Sequence, residues 1–143
     1  MSADRVFVDT NVLISGLIFR LGKEAALLEL ADQRAVSLVL CAHVISEARD
    51  VFDDKFTDRI HVLEGPLARG RYELAPEPGD ADVETAARLV RDQDDAAVLA
   101  SILTSNPDVA LTGDKDLLTD EVKAIAPTCR VAEYLARREE ADN

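Results

Sequence analysis

Short runs of apolar, β-branched residues alternate along this chain with longer stretches of helical period. Val6, Phe7 and Val8 are apolar without alternation, so residues 5–9 read as a strand buried on both faces. Residues 36–40 read the same way, and 72–74, 109–112 and 129–131 supply three shorter strands. Residues 21–34, 43–52 and 94–104 carry helical patterns. The charged stretch 53–71 is helical with a weak period, 114–123 begins a short helix, and 132–138 forms a closing one. Pro76, Pro78 and Gly79 mark a loop, after which Asp80 or Asp82 is placed to cap a helix running to about Val90. Asn106–Pro107 breaks the helix that precedes the fourth strand. Strands interleaved with helices in this way specify an α/β domain on a mainly parallel sheet of about five strands.

Composition narrows the class. With 143 residues, 48% of them hydrophobic, the chain is sized for one domain with a real core. We read that domain over residues 1–138, with 139–143 a charged tail expected to fray. No apolar run approaches the roughly 20 residues of a membrane span. Met1 to Val6 lacks the pattern of a secretion signal, so a soluble, cytoplasmic protein is expected. Cys41 and Cys129 stand far apart without zinc-ligand spacing and read as buried thiols in a reducing compartment. His43 and His61 are isolated in the sequence, with no neighbour that would make a nucleophile–base pair.

The formal net charge of −12 argues against a protein that grips nucleic acid by phosphate neutralisation alone. An acidic chain can still act on RNA where cations bridge its carboxylates to phosphate. Four acids fit that chemistry. Asp9 directly follows the first strand, and Asp114 follows the fourth after a single glycine, at the sheet edge where open parallel sheets bind ligands. Each equally suits a plain N-cap. On the helix from residue 94, Asp95 falls on the apolar side with Val98, Leu99 and Ile102, whereas Asp94 falls on the polar side with Ser101 and Ser105. Asp94 therefore faces water and Asp95 points toward the core, where it needs a donor, a metal or its own helix N-terminus. Glu47 borders the apolar stripe of Val44, Ile45, Ala48, Val51 and Phe52. Converging carboxylates repel unless a cation intervenes, and hard oxygen donors suit Mg²⁺ or Mn²⁺. Such ions activate water and neutralise a leaving oxygen, which fits phosphodiester hydrolysis better than acyl transfer.

The run Val6-Phe7-Val8-Asp9-Thr10-Asn11-Val12-Leu13-Ile14-Ser15 resembles the opening strand and first helix of PIN domains. Ser46-Glu47 matches the glutamate of that family, and Asp95-Ala96-Ala97-Val98-Leu99-Ala100 resembles its Asp-x-x-hydrophobic-hydrophobic-Ala block. Leu111-Thr112-Gly113-Asp114-Lys115-Asp116-Leu117-Leu118 resembles its terminal Thr-x-Asp block. The four blocks stand in family order and cover essentially the whole chain. The resemblance implies a three-layer α/β/α, Rossmann-like sandwich and a ribonuclease site using Mg²⁺ or Mn²⁺. It carries Asp9, Glu47, Asp95 and Asp114 over as catalytic metal ligands, with Asp116 as a supplementary ligand. Thr10, Asn11 and Thr112 would orient those ligands by hydrogen bonding. The Gly-Asp-Lys-Asp-Leu-Leu form looks most like VapC-type toxins, which implies an RNA substrate, a small antitoxin protein and a homodimer. Arg20, Lys23, Arg49, Lys55 and Arg59 are candidates for gripping RNA, although the acidic balance leaves that surface undefined.

Two other readings compete with the nuclease. One is a non-catalytic PIN module that binds RNA or a protein partner. The other is an aspartyl-phosphate enzyme or receiver domain, which also places an Asp after a strand. The dehalogenase-like form needs a second Asp where Asn11 stands, and a receiver needs adjacent acids near the first strand.

Overall fold

Val6, Phe7 and Val8 are fully removed from solvent, and they belong to the central strand of the sheet, β1 (Asp4–Val8). Three such side chains in succession require cover on both faces. In the computed structural model, which describes residues 3–142, that cover is complete. The first two residues of the domain read as 1–138, and Asn143 of the tail, lie outside the described residues. β1 pairs on one side with β2 (Val36–Leu40), and β2 with β3 (Glu73–Leu74). On its other side β1 pairs with β4 (Val109–Leu111), and β4 with β5 (Thr128–Cys129). All four pairings are parallel, in the order β3-β2-β1-β4-β5, with Val6 opposite both Leu38 and Val109.

Parallel neighbours need long crossovers, and the chain spends its helices on them. α1 (Thr10–Ile18) and α2 (Lys23–Asp32) connect β1 to β2; α3 (Ala42–Lys55) and α4 (His61–Ala68) connect β2 to β3. α5 (Asp80–Leu89) and α6 (Gln93–Ser105) carry the chain back across the sheet to β4. α7 (Asp120–Lys123) leads to β5, and α8 (Val131–Asp142) follows it. Because the strand order reverses at β1, right-handed crossovers fall on opposite faces, giving the α/β/α sandwich of a Rossmann-like fold. Arg5 braces the arrangement: its guanidinium pairs with Glu73 of β3 and donates to the carbonyls of Ser105 and Asn106, each at 3.0 Å. Asn106 ends α6 in the left-handed conformation (φ 48°), a common helix stop. No helix of the described residues is long and apolar enough to cross a membrane.

Several boundaries differ from expectation for local reasons. Only Thr128–Cys129 pair with β4, because the Arg130 carbonyl already accepts the Tyr134 amide (3.1 Å) and starts α8. That helix continues to Asp142, through residues expected as a frayed tail. The stretch 53–71 is helical but broken: α3 ends at Phe56, a 3-10 turn spans Thr57–Arg59, and α4 carries Pro66 inside it. Residues 114–123 divide into a 3-10 turn, Lys115–Leu117, and α7 capped by Thr119. Neither Asp80 nor Asp82 caps α5, whose N-cap is Gly79. Instead Thr104 of α6 accepts the Gly79 amide (3.1 Å) and donates to Asp82 (2.7 Å), tying the two helices together.

Candidate metal-dependent active site

The reversal of strand order between β1 and β4 opens a crevice at their carboxyl ends, the usual ligand position in such sheets. Asp9 stands at its floor. Its amide continues the ladder by donating to the Leu111 carbonyl (3.2 Å), and its side chain is 8% exposed. One carboxylate oxygen accepts the Val12 amide (3.0 Å) and caps α1; the other accepts the Thr112 hydroxyl. The cap and the pocket are thus served by one residue, because a carboxylate has about four lone-pair sites to share. The Thr112 oxygen in turn accepts the Asp114 amide (3.0 Å), and Asp114 accepts the Asp116 amide (2.9 Å) to start the 3-10 turn.

Helices bring the other acids. Val44, Ala48 and Phe52 bury one face of α3, which leaves Glu47 half-buried at the border, where it accepts the Thr10 hydroxyl (2.7 Å). Asp95 lies in the first turn of α6 but does not cap it; Asp92 accepts the Asp95 amide (3.0 Å) and performs that task. The Asp95 carboxylate is therefore free to turn inward. Asp9, Glu47, Asp95 and Asp114 line one cleft of about 330 Å³, with Thr10 and Asn11 at its edge. Asp95, Asp114 and Asp116 each offer an oxygen within 4.8 Å of the others.

Crowding raises proton affinity. Burial pushes the Asp9 carboxyl above its ordinary value against the hydrogen bonds from Thr112 and Val12, and Asp114 and Glu47 add to the rise. Asp95 is pushed up to about 7, first by burial, then by its contact with the Asp114 carboxylate and the charges of Asp114, Asp92 and Asp116. A cation relieves the same repulsion that a proton relieves. The donor set fits a hard divalent ion, since the oxygens come from carboxylates without nitrogen or sulfur among Asp95, Asp114 and Asp116.

The remaining expectations divide. Thr10 donates to Glu47 and Thr112 to Asp9, whereas Asn11 is exposed at the rim and its side chain makes no hydrogen bond among the described residues. Arg49 is committed to Glu64 through contacts of 2.8–3.1 Å. Arg20, Lys23 and Lys55 are exposed, and Arg59 is half-buried. Lys23 borders a small cavity of about 170 Å³ that it shares with Asn11, Thr112 and Arg130.

Sequence reasoning missed two neighbours of Glu47. Asp94 is exposed, as expected, but it also lines the cleft, and one of its oxygens lies 3.2 Å from Nε2 of His43. His43, expected to be isolated, also lies 3.5 Å from Glu47. Its i,i+4 spacing to Glu47 was a visible signal; Asp94 had none, because α3 supplies its partner. Nor is the face bearing Ser101 and Ser105 polar: both are buried, with Cys41 and the loop through Pro76 and Pro78 bordering Ser101. The Ser105 hydroxyl is satisfied by the Ser101 carbonyl (2.7 Å).

Comparison with known proteins agrees with this architecture. A search of curated proteins finds no match. Among solved structures, the fold is similar to a chain in the crystal structure of VapBC2 from Rickettsia felis bound to a DNA fragment from their promoter. The TM-score is 0.62 at 13% identity, over 88% of this chain and 98% of that one. Residues 5–116 match the family model described as PIN domain, a span running from β1 through the Asp114–Asp116 turn, and the chain belongs to the PIN-domain family.

Proposed function

We propose that this protein is a metal-dependent endoribonuclease, the toxin of a type II toxin–antitoxin pair. The observation that carries the reading is the convergence of Asp9, Glu47, Asp95 and Asp114, from four separate segments, on one cleft at the strand-order reversal. Family membership and the likeness to a VapBC2 chain support it. Asp9, Glu47, Asp95 and Asp114, with Asp116 at the rim, would hold Mg²⁺ or Mn²⁺. Bound there, the ion supplies Lewis acidity and a lowered water pKa. The protein's own part is to position oxygens. Thr112 fixes Asp9 and, through its amide contact, Asp114; Thr10 fixes Glu47. Asp95, with its raised proton affinity, is placed to exchange a proton near neutral pH when no cation holds it.

RNA is the substrate we infer, a small antitoxin protein the partner, and a homodimer the assembly. The free, buried cysteines Cys41 and Cys129 support a reducing, cytoplasmic setting. The experiment is cleavage of structured and unstructured RNA by the purified chain with Mg²⁺ or Mn²⁺, with chelator, and by Asp9→Asn. Chelator-sensitive cleavage, lost in Asp9→Asn, is the expected result. RNA binding without chelator-sensitive cleavage would point instead to a non-catalytic module, and cleavage undiminished in Asp9→Asn would remove the site from the reaction.

A further inference from the structure

Beside the carboxylates lies a group of different chemistry. His43 and Glu47 stand one helical turn apart on α3, and Asp94 reaches them from the first turn of α6. An imidazole nitrogen and one oxygen from each acid all lie within 4.8 Å of one another. Nε2 of His43 is shielded from solvent yet makes no hydrogen bond among the described residues, although Asp94 is 3.2 Å and Glu47 3.5 Å away. The oxygens are near enough but misaligned for an N–H donor. A ring nitrogen left in that position costs free energy unless something else takes its lone pair.

The spacing suits a shared ion better than a hydrogen bond. Nitrogen and oxygen donors about 2.0–2.1 Å from one cation stand roughly 2.8–3.4 Å apart, between right-angle and tetrahedral arrangements. The separations of 3.2 and 3.5 Å fall at or near that range. Glu47 is already held by the Thr10 hydroxyl, so one donor of the three is oriented in advance. Three protein donors with open positions left for water form an accessible site rather than a closed structural one.

We infer that His43, Glu47 and Asp94 form a second cation site that takes a first-row transition metal such as Mn²⁺, Co²⁺ or Zn²⁺ in preference to Mg²⁺. The imidazole sets this preference, since a nitrogen ligand suits transition ions and not the all-oxygen demand of Mg²⁺. The site shares Glu47 with the proposed nuclease centre but rests on the geometry of His43, not on RNA cleavage.

The test uses Co²⁺ as probe, with the full chain held in excess Mg²⁺ to occupy the all-carboxylate group. Wild type should bind Co²⁺ and show an exchangeable imidazole proton resonance shifted far outside the ordinary NMR range. His43→Gln should abolish that resonance and weaken Co²⁺ binding at least about tenfold, a lower bound set by the loss of mere outer-shell partners. Asp94→Asn should weaken binding in the same direction, whereas the exposed His61→Gln should leave the resonance in place. Each variant is first checked for native circular dichroism. A wild type without the shifted resonance, or Co²⁺ affinity equal in wild type and His43→Gln, would overturn the inference and leave His43 as a simple partner of two acids. Chelator-sensitive RNA cleavage persisting in that case would show that only this site, and not the nuclease proposal, had failed.

Discussion

Thr112 joins two acids that the sequence keeps far apart: its hydroxyl donates to Asp9, 103 residues away, and accepts the amide of Asp114 at 3.0 Å. Both groups that it satisfies lie in the crevice floor, and Thr112 itself is 2% exposed. Removing the hydroxyl leaves a buried carboxylate short of a donor and a backbone amide short of an acceptor. Thr112→Val keeps the shape and loses both, so it should lower stability by about 1–3 kcal/mol in denaturant titration. Thr112→Ser retains the oxygen and should lose only about 0.8 kcal/mol, the worth of one buried methyl group. Equal losses in the two variants would show that the methyl, not the hydroxyl, holds the crevice together.

Asp95 gives the fold a pH dependence with a definite sign. Burial and the neighbouring Asp114 push its folded carboxyl up to about 7, well above the ordinary carboxylate range, so the native state holds a proton that the unfolded chain has released. Stability from this group is greatest below the unfolded value and is lost as pH rises from about 4 to about 7. Asp9, also shifted upward, acts in the same direction. In chelator, the melting temperature should therefore fall between pH 5 and 7.5, and Asp95→Asn should flatten the fall. Saturating Mg²⁺ should reverse the trend by favouring the ionised carboxylates. A wild-type slope matched by Asp95→Asn would assign the dependence to the general surface charge.

Part of this geometry was legible in the sequence. Three apolar residues ahead of Asp9 gave β1 and its exit, and the 100° period of α6 turned Asp95 inward with Val98, Leu99 and Ile102. What the period could not supply was the identity of neighbours. It turned Asp94 to solvent, where it is, but a helical wheel has no knowledge of α3, from which His43 meets it. It made Ser101 and Ser105 a polar face although both are buried, because the loop at residues 76–78 that borders Ser101 leaves no periodic trace. The cap of α6 was equally hidden: Asp92, Asp94 and Asp95 all stand where a carboxylate can reach free amides, and only the packed structure chooses Asp92. Capping does not use up the Asp9 side chain, since one oxygen takes the Val12 amide and the other the Thr112 hydroxyl.

Gly16 tests how tightly α1 is set against α2. A Cβ there would lie 2.7–2.8 Å from the Leu28 side chain and 2.9 Å from the Glu24 carbonyl oxygen. Alanine in mid-helix gains about 1 kcal/mol over glycine in propensity, whereas overpacking costs about 1–3 kcal/mol. The Leu28 side chain can turn aside, but the carbonyl belongs to the backbone of α2 and moves only with the helix. The clash should win, and Gly16→Ala should lower the denaturation midpoint. Because α1 begins at the Asp9 cap, the shift should also weaken divalent-ion binding at the crevice. A stabilised Gly16→Ala protein would mean that the two helices have room to separate.

Two of the candidate cations for RNA stand in different environments. Arg49 spends its guanidinium on Glu64, through three contacts of 2.8–3.1 Å, so releasing it to bind phosphate breaks an existing pair. Lys23 is exposed and borders the small cavity that reaches Asn11 and Thr112, beside Glu24 and Arg130. Lys23 makes no ion pair among the described residues, so binding phosphate would break none. In an Asp9→Asn background, which prevents cutting, Lys23→Gln should make the salt dependence of single-stranded RNA binding shallower by about 0.7 in log–log slope, the share of one phosphate contact. Arg49→Gln should leave that slope unchanged within error. If Arg49 carries the slope and Lys23 does not, the RNA path runs over α3 and α4 rather than past the start of α2.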